Sequence, residues 1–200
     1  MTTQKPTVLF YNFGAKFGGA EIVLLKYLEK PSEQLEFKVL LNEQGTFYDE
    51  LVKKDVSVEL ISTNTDLFYS VKRGDSLNLK VFKLIPAVLQ LFYQVVRYFK
   101  KNKFDLIVSN TYKSHIILGL AAKFFNLKAV WRFHDIVQRN YSYNQFSWIN
   151  IKIMRFLAPS IIRILAVSQA VSTSFLDFGF DPSKFAVVHN GLEVIVSRPK

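Results

Sequence analysis

The chain contains no cysteine among its 200 residues. Neither a disulfide framework nor a thiolate metal site can be built from it, and the absence is compatible with a reducing compartment. Acidic residues are scarce as well: 16 Asp and Glu stand against 26 Lys and Arg, for a formal net charge of +10. Long apolar runs are missing. Within the most hydrophobic helical stretch the longest uncharged run is Leu84 to Val96, with two Gln in it, too short to cross a bilayer. The polar start, Met1 to Pro6, has no basic flank followed by a long apolar segment, so no signal peptide is expected and a cytoplasmic location is. There is no G-x-S-x-G elbow, no P-loop, and no His–carboxylate set with metal-ligand spacing. The expectation is a protein with neither a metal nor another resident cofactor. Low-complexity segments, internal linkers and short repeats are absent too.

What is present is core-forming material. Half of the residues are hydrophobic and 15% are aromatic, with 19 Phe, which argues against disorder and suits one α/β domain. The basic balance favours a polyanionic partner. Lys80 to Lys103 holds six basic residues and no acidic one; Lys128 to Arg163 holds six and one. Bulky apolar groups accompany the charge in both stretches, which fits an anionic membrane interface better than a nucleic acid. Lys83, Arg97 and Lys101 would form the exposed stripe of the first, with Tyr141, Tyr143, Phe146 and Trp148 beside Arg139, Lys152 and Arg155 in the second. The alternative is a solvated basic face on an ordinary domain.

Short β-rich runs alternate with helical patterns. Strands are expected at Thr7–Tyr11, Phe37–Leu41, Val56–Ile61, Asp105–Val108, Lys128–Phe133, Ile161–Val167 and Phe185–Val188. Helices are expected at Ala20–Lys30, Thr46–Lys54, Leu79–Asn102, Tyr112–Phe125, Phe146–Leu157 and Ser168–Phe178. Ala20, Val23, Leu24, Tyr27 and Leu28 would be the apolar face of the first helix. Lys83, Gln90, Gln94, Arg97 and Lys101 would be a narrow polar stripe on the third, with Pro86 kinking that helix or marking the start of its main segment. Ser62–Asn78 and Asp135–Gln145 read as loops. Alternation of this kind implies a single Rossmann-like domain with a mostly parallel, doubly wound sheet of about seven strands and helices on both faces.

Ligands of open α/β sheets bind beyond the carboxyl ends of the strands. That edge gathers Asn12, Phe13 and the loop Gly14-Ala15-Lys16-Phe17-Gly18-Gly19 after the first strand, then Ser109, Asn110 and Thr111, His134 and Asp135, Ser168, and Asn190 and Gly191 after later ones. A glycine-rich turn opening a helix can hold an anion on its backbone N–H groups, or can be a tight turn alone. The spacing Gly14, Gly18, Gly19 is not G-x-G-x-x-G, and Leu41-Asn42-Glu43 is a poor end for a nicotinamide-binding second strand. His134 ends a buried strand and precedes Asp135, which points to function more than to packing. His115 lies on a helical pattern and reads as packing or surface.

Five blocks in order resemble glycosyltransferase family 4. They are Phe17-Gly18-Gly19-Ala20-Glu21, Phe104-Asp105-Leu106-Ile107-Val108 with Ser109-Asn110, Trp131-Arg132-Phe133-His134-Asp135, Ile164-Leu165-Ala166-Val167-Ser168-Gln169-Ala170, and Val187-Val188-His189-Asn190-Gly191. The last is followed by Leu192-Glu193 where the family usually has Val/Ile-Asp. The resemblance implies the GT-B architecture of two facing Rossmann-like domains, with retaining transfer from a nucleotide sugar to a sugar or lipid-linked acceptor and no bound metal. Residues 1–193 would be the acceptor-side domain and 194–200 the start of the connection to a donor-binding domain. Carried over, Gly18 and Gly19 would face the donor phosphates and His134 the transferred sugar. Asn12, Lys16, Asn110, Asp135, Arg139, Ser168 and Asn190 are candidates for the rest of the cleft. The chain alone would then not turn over. The protein would sit in the cytoplasm, peripheral at the inner face of the plasma membrane. A nucleotide-sugar epimerase or a non-catalytic binding module are the alternatives.

Overall fold

The computed structural model describes residues 5–30, 32–61, 80–137 and 148–191. Among them seven strands form one sheet: β1 (Thr7–Asn12), β2 (Glu36–Leu41), β3 (Val58–Leu60), β4 (Leu106–Ser109), β5 (Ala129–Phe133), β6 (Arg163–Ala166) and β7 (Phe185–Val187). All neighbours are parallel, in the order β3-β2-β1-β4-β5-β6-β7. Six α-helices connect them: α1 (Gly19–Leu28), α2 (Thr46–Lys53), α3 (Lys80–Asn102), α4 (Tyr112–Phe125), α5 (Trp148–Leu157) and α6 (Gln169–Leu176). Parallel strands require crossovers. Those that run leftward from β1 lie on one face and those that run rightward lie on the other, as a constant right hand demands.

Each face carries its own core. Leu24, Leu25 and Leu28 of α1 and Phe47 and Leu51 of α2 pack on Val8, Phe10, Val39 and Leu41. Helices α3 to α6 cover the opposite face, where Leu91, Val95, Leu118, Met154 and Phe175 meet Leu9, Tyr11, Trp131 and Phe133. Alternate residues of the inner strands therefore serve different cores, so the buried parts of β1, β4 and β5 read as continuous apolar runs. Each fully buried large side chain contributes about 1.5–3 kcal/mol. Asn126, with φ 50, ends α4 in the left-handed region, which asparagine tolerates better than most residues.

Three expectations need correction. The buried face of α1 is Glu21, Leu24, Leu25 and Leu28; Tyr27 is half exposed and packs on the rings of Phe10 and Phe37. The helix is rotated because Glu21 turns inward to a buried amide. In α3 the apolar residues do not all serve the core: Val88, Leu89 and Tyr93 are exposed, while the Gln94 side-chain oxygen is buried without a hydrogen-bond partner. The sheet covers one side of this helix, so apolar residues on its far side stay in solvent. The helix runs on both sides of Pro86. The strands β3 and β6 are shorter than Val56–Ile61 and Ile161–Val167, since parallel pairing ends where a neighbour ends. No helix of the described residues is long and apolar enough to cross a membrane.

Candidate functional site

The order of the sheet reverses between β1 and β4, which pair directly with Tyr11 opposite Ser109. Chains diverge above that junction and leave a crevice at the carboxyl edge. The glycine loop rises on one side of it, and the ends of β4 and β5 form the other.

The loop is anchored from below. Asn12 closes β1 and is fully buried; its amide nitrogen donates to the Gly14 carbonyl at 2.7 Å and to Glu21 Oε1 at 3.1 Å. Asn12 thus braces the loop from beneath. The segment after β2 holds the loop's outer side: Ala15 N donates to Glu43 Oε1 at 3.2 Å, Phe17 N to Thr46 Oγ1 at 3.2 Å, and Phe47 N to the Ala15 carbonyl at 2.8 Å. From the β4 side, Thr111 Oγ1 accepts from Phe13 N at 3.2 Å. Gly18 has an extended backbone, so its φ does not demand glycine. A Cβ there would stand 2.9 Å from Glu21 Oε2, so a side chain at this position would push the Glu21 carboxylate aside. Gly19 opens α1 with nothing within 4 Å of such a Cβ. No side chain caps this helix end, although Glu21 places a carboxylate in its first turn and offsets part of the end's positive field. Lys16 stands exposed at the loop's tip.

Across the crevice, His134 Nε2 lies 2.9 Å from Asn110 Oδ1. The Asn110 amide nitrogen reaches the Ala20 carbonyl of α1 at 3.4 Å, and Asn110 N donates to the Tyr11 carbonyl at 3.2 Å. His134 is therefore linked through Asn110 to the helix that the glycine loop opens. Burial, with the nearby Arg132 guanidinium, pushes the His134 imidazole down to about 4, so it is neutral at physiological pH. Arg132, two residues earlier on the same strand, donates to Asn190 Oδ1 at 3.1 Å. That bond holds the segment leaving β7 against the end of β5. Asp135 is exposed at the rim, and desolvation by the protein around it raises its carboxyl pKa above the ordinary value. Ser168 caps α6, its Oγ accepting from Val171 N at 3.2 Å. Arg139 lies outside the described residues.

His115 is buried among the rings of Trp131 and Phe133, with Nδ1 2.7 Å from Ser109 Oγ. Burial holds its pKa well below the ordinary value, and His134 adds to the effect. Its role is packing beneath the site. Sequence reasoning placed Thr111 at this edge but missed Arg132, Glu21 and Glu43 as parts of the site. A cation two positions before His134 on a strand shares its face, which was the available signal for Arg132. The loop's side braces come from distant segments and carry no local pattern. Among the described residues no group of three or more His, Asp or Glu could hold a metal ion.

A doubly wound sheet with a braced glycine loop across the switch point from a strand-end histidine defines a Rossmann-like domain. The model of Glycosyltransferase Family 4 matches residues 46–194. The chain belongs to that family. Solved structures share the fold. HepE of Anabaena in complex with UDP is 24% identical, with 94% of this chain and 44% of that chain covered and a TM-score of 0.68. The apo lipopolysaccharide outer core galactosyltransferase WaaB is 14% identical, with 95% and 47% covered and a TM-score of 0.62. A UDP-N-acetylglucosamine 2-epimerase is 12% identical, with 94% and 49% covered and a TM-score of 0.62. The chain thus spans slightly less than half of each of these proteins. No curated protein matches the chain significantly.

Proposed function

We propose that residues 1–193 form the acceptor-side half of a retaining glycosyltransferase, that 194–200 begin the connection to a donor-binding domain, and that transfer proceeds without a bound metal or other cofactor. The observation that carries this reading is the His134–Asn110–α1 chain, which sets a neutral imidazole opposite a braced glycine loop at the sheet's switch point. The family supports sugar transfer as the chemistry. The complexes of HepE with UDP and with UDP-glucose support a nucleotide sugar as the donor. In this reading the backbone amides of Gly18 and Gly19 face the donor phosphates and His134 contacts the transferred sugar. Lys16, Asp135 and Ser168 line the approach for a sugar or lipid-linked acceptor, and Asn190 leads toward the second domain. Asn12 and Asn110 hold these groups in place.

The cell location in this proposal is cytoplasmic and peripheral on an anionic membrane. Its support is a segregation of charge: α3, α4 and α5 contain no acidic residue, against five basic residues in α3 and two in each of the others. Exposed Phe124 and Phe156 stand beside them, and Lys100 and Lys123 sit over the rings of Phe125 and Phe156 at 4.6 and 4.5 Å. Tyr141, Tyr143 and Phe146 lie outside the described residues, so the support moves from that loop to the outer faces of these helices.

The test is His134→Ala in the longer parent protein, assayed for sugar transfer from UDP- and GDP-sugars with far-UV circular dichroism as the fold control. Loss of most turnover with an unchanged melt is expected; unchanged turnover would make His134 structural. Calorimetry on residues 1–200 should show weak binding of UDP-glucose, and tight binding would contradict the two-domain reading. The epimerase reading is kept open by the epimerase structure of like fold. It requires conversion of a nucleotide sugar with no acceptor present.

A further inference from the structure

We propose that Asn110 is a positioning residue that fixes the ring tautomer of His134, so that His134 turns an unprotonated Nδ1 toward the cleft and accepts a hydrogen bond from a hydroxyl-bearing ligand. That the ligand is a sugar rests on the glycosyltransferase reading; the tautomer does not.

The argument begins at the amide. Asn110 Nδ2 lies 3.4 Å from the Ala20 carbonyl oxygen, a group that can accept but never donate. Turning the amide over would set two oxygens against each other. Oδ1 must therefore face His134, and it does so at 2.9 Å from Nε2. An amide oxygen accepts, so the proton at this contact belongs to Nε2. In a neutral imidazole the other nitrogen then carries the lone pair. The Asn110 backbone is held too, since its N–H donates to the Tyr11 carbonyl across the switch point at 3.2 Å. The amide cannot follow the ring if the ring turns.

The charged form, with both nitrogens as donors, is opposed by the surroundings. Arg132 on the same strand lowers the imidazole's proton affinity, with burial as the larger cause. His115 of α4 is neutral and engaged with Ser109. Asp135 is the adjacent acid; it is exposed and makes no hydrogen bond to the ring among the described residues. The chemical consequence is a division of roles. A neutral ring that offers a lone pair gives nothing to a diphosphate, which wants donors and positive charge. It suits an O–H. Anionic groups are left to the glycine-loop amides and to the basic side chains of the cleft.

Two-bond proton–nitrogen correlation spectra of the 200-residue chain with labelled histidine read the tautomer directly, with the His134 signals assigned by their loss in His134→Gln. The expected result is the Nε2–H form, unchanged from neutral pH down to about 5. Asn110→Leu should mix the two tautomers. Asn110→Asp keeps the size and the acceptor but adds charge, and should raise the His134 midpoint by about one pH unit or more, a tenfold or greater gain in proton affinity. In the longer parent, the acid limb of the rate profile should move up with that midpoint. An Nδ1–H form in the wild type, or an Asn110→Asp midpoint equal to the wild type's, overturns the proposal. If the spectra agree but no sugar is transferred, the glycosyltransferase reading fails and the tautomer assignment stands.

Discussion

Replacing Gly119 with alanine should destabilise the domain even though it favours the helix. Gly119 is buried in α4 where that helix crosses β5 and α5. A Cβ there would lie 2.7 Å from Trp131 Cζ2, 3.1 Å from Leu157 Cβ and 3.2 Å from Leu157 Cδ1. Alanine gains about 1 kcal/mol of helix propensity over glycine. Against this, inserting a methyl into a close-packed site costs typically about 1–3 kcal/mol. The upper part of that range applies, because Trp131 is fully buried and stacked on Phe133 beside His115, which leaves its ring little room to recoil. The net loss should be about 1–2 kcal/mol, or a fall in melting temperature of about 2–4 °C per kcal/mol at this chain length. Urea unfolding followed by circular dichroism measures it. A cycle with Trp131→Phe, which removes the atom nearest the new methyl, should show a coupling of about 1 kcal/mol. A Gly119→Ala protein more stable than the wild type, or a cycle with no coupling, would refute the close-contact argument.

Two further outcomes are expected. The unfolded chain protonates its histidines below about pH 6.5, whereas folded His134 does so near 4 and His115 lower than usual. Stability should therefore fall as pH drops from about 6.5 toward 4, with His134 contributing on the order of 1–3 kcal/mol once its partial exposure is discounted; a His134→Gln melt series that is as steep as the wild type's would count against this. The chain should sediment with anionic vesicles and not with neutral ones, each nearby cation adding roughly 1 kcal/mol, and salt should weaken the binding because the Debye length is only about 8 Å at physiological ionic strength. Lys100→Glu with Lys123→Glu should abolish that sedimentation, and equal pelleting with neutral vesicles would remove the membrane from the proposal.

The architecture was legible because its signal is periodic. Each strand is a short, mostly apolar segment between polar turn residues, and the observed strands overlap the expected ones at every position in the order. What sequence could not supply was orientation. The apolar spacing of α1 admits two overlapping faces, and the choice was made by Glu21, a carboxylate drawn inward to the Asn12 amide. In α3 a nearly all-apolar surface gave no way to tell the side facing the sheet from the side with Leu89 and Tyr93. The candidate site was legible as a list of strand ends, since strand ends of a parallel sheet must converge. The pairings within it were not. Arg132 with Asn190 and His134 with Asn110 join residues 58 and 24 positions apart, and such contacts exist only once strand order is known. Gly18 was singled out as a backbone donor to a phosphate, whereas its crowding against Glu21, where a Cβ would stand 2.9 Å from Oε2, could be read only from the structure.

The reversal of strand order also bears on how the chain reaches its folded state. Five of the six strand pairings join consecutive strands, so each can form soon after its second member is available. The pairing of β1 with β4 is different: Val8 finds Leu106 after 98 positions. Closing so long a loop carries an entropic cost that local pairings do not. The two flanks of the sheet can thus become ordered separately, and the crevice, which lies at their seam, is completed when they join. A nascent chain would hold the glycine loop early and acquire the facing histidine late, so ligand binding would report on the last step of assembly.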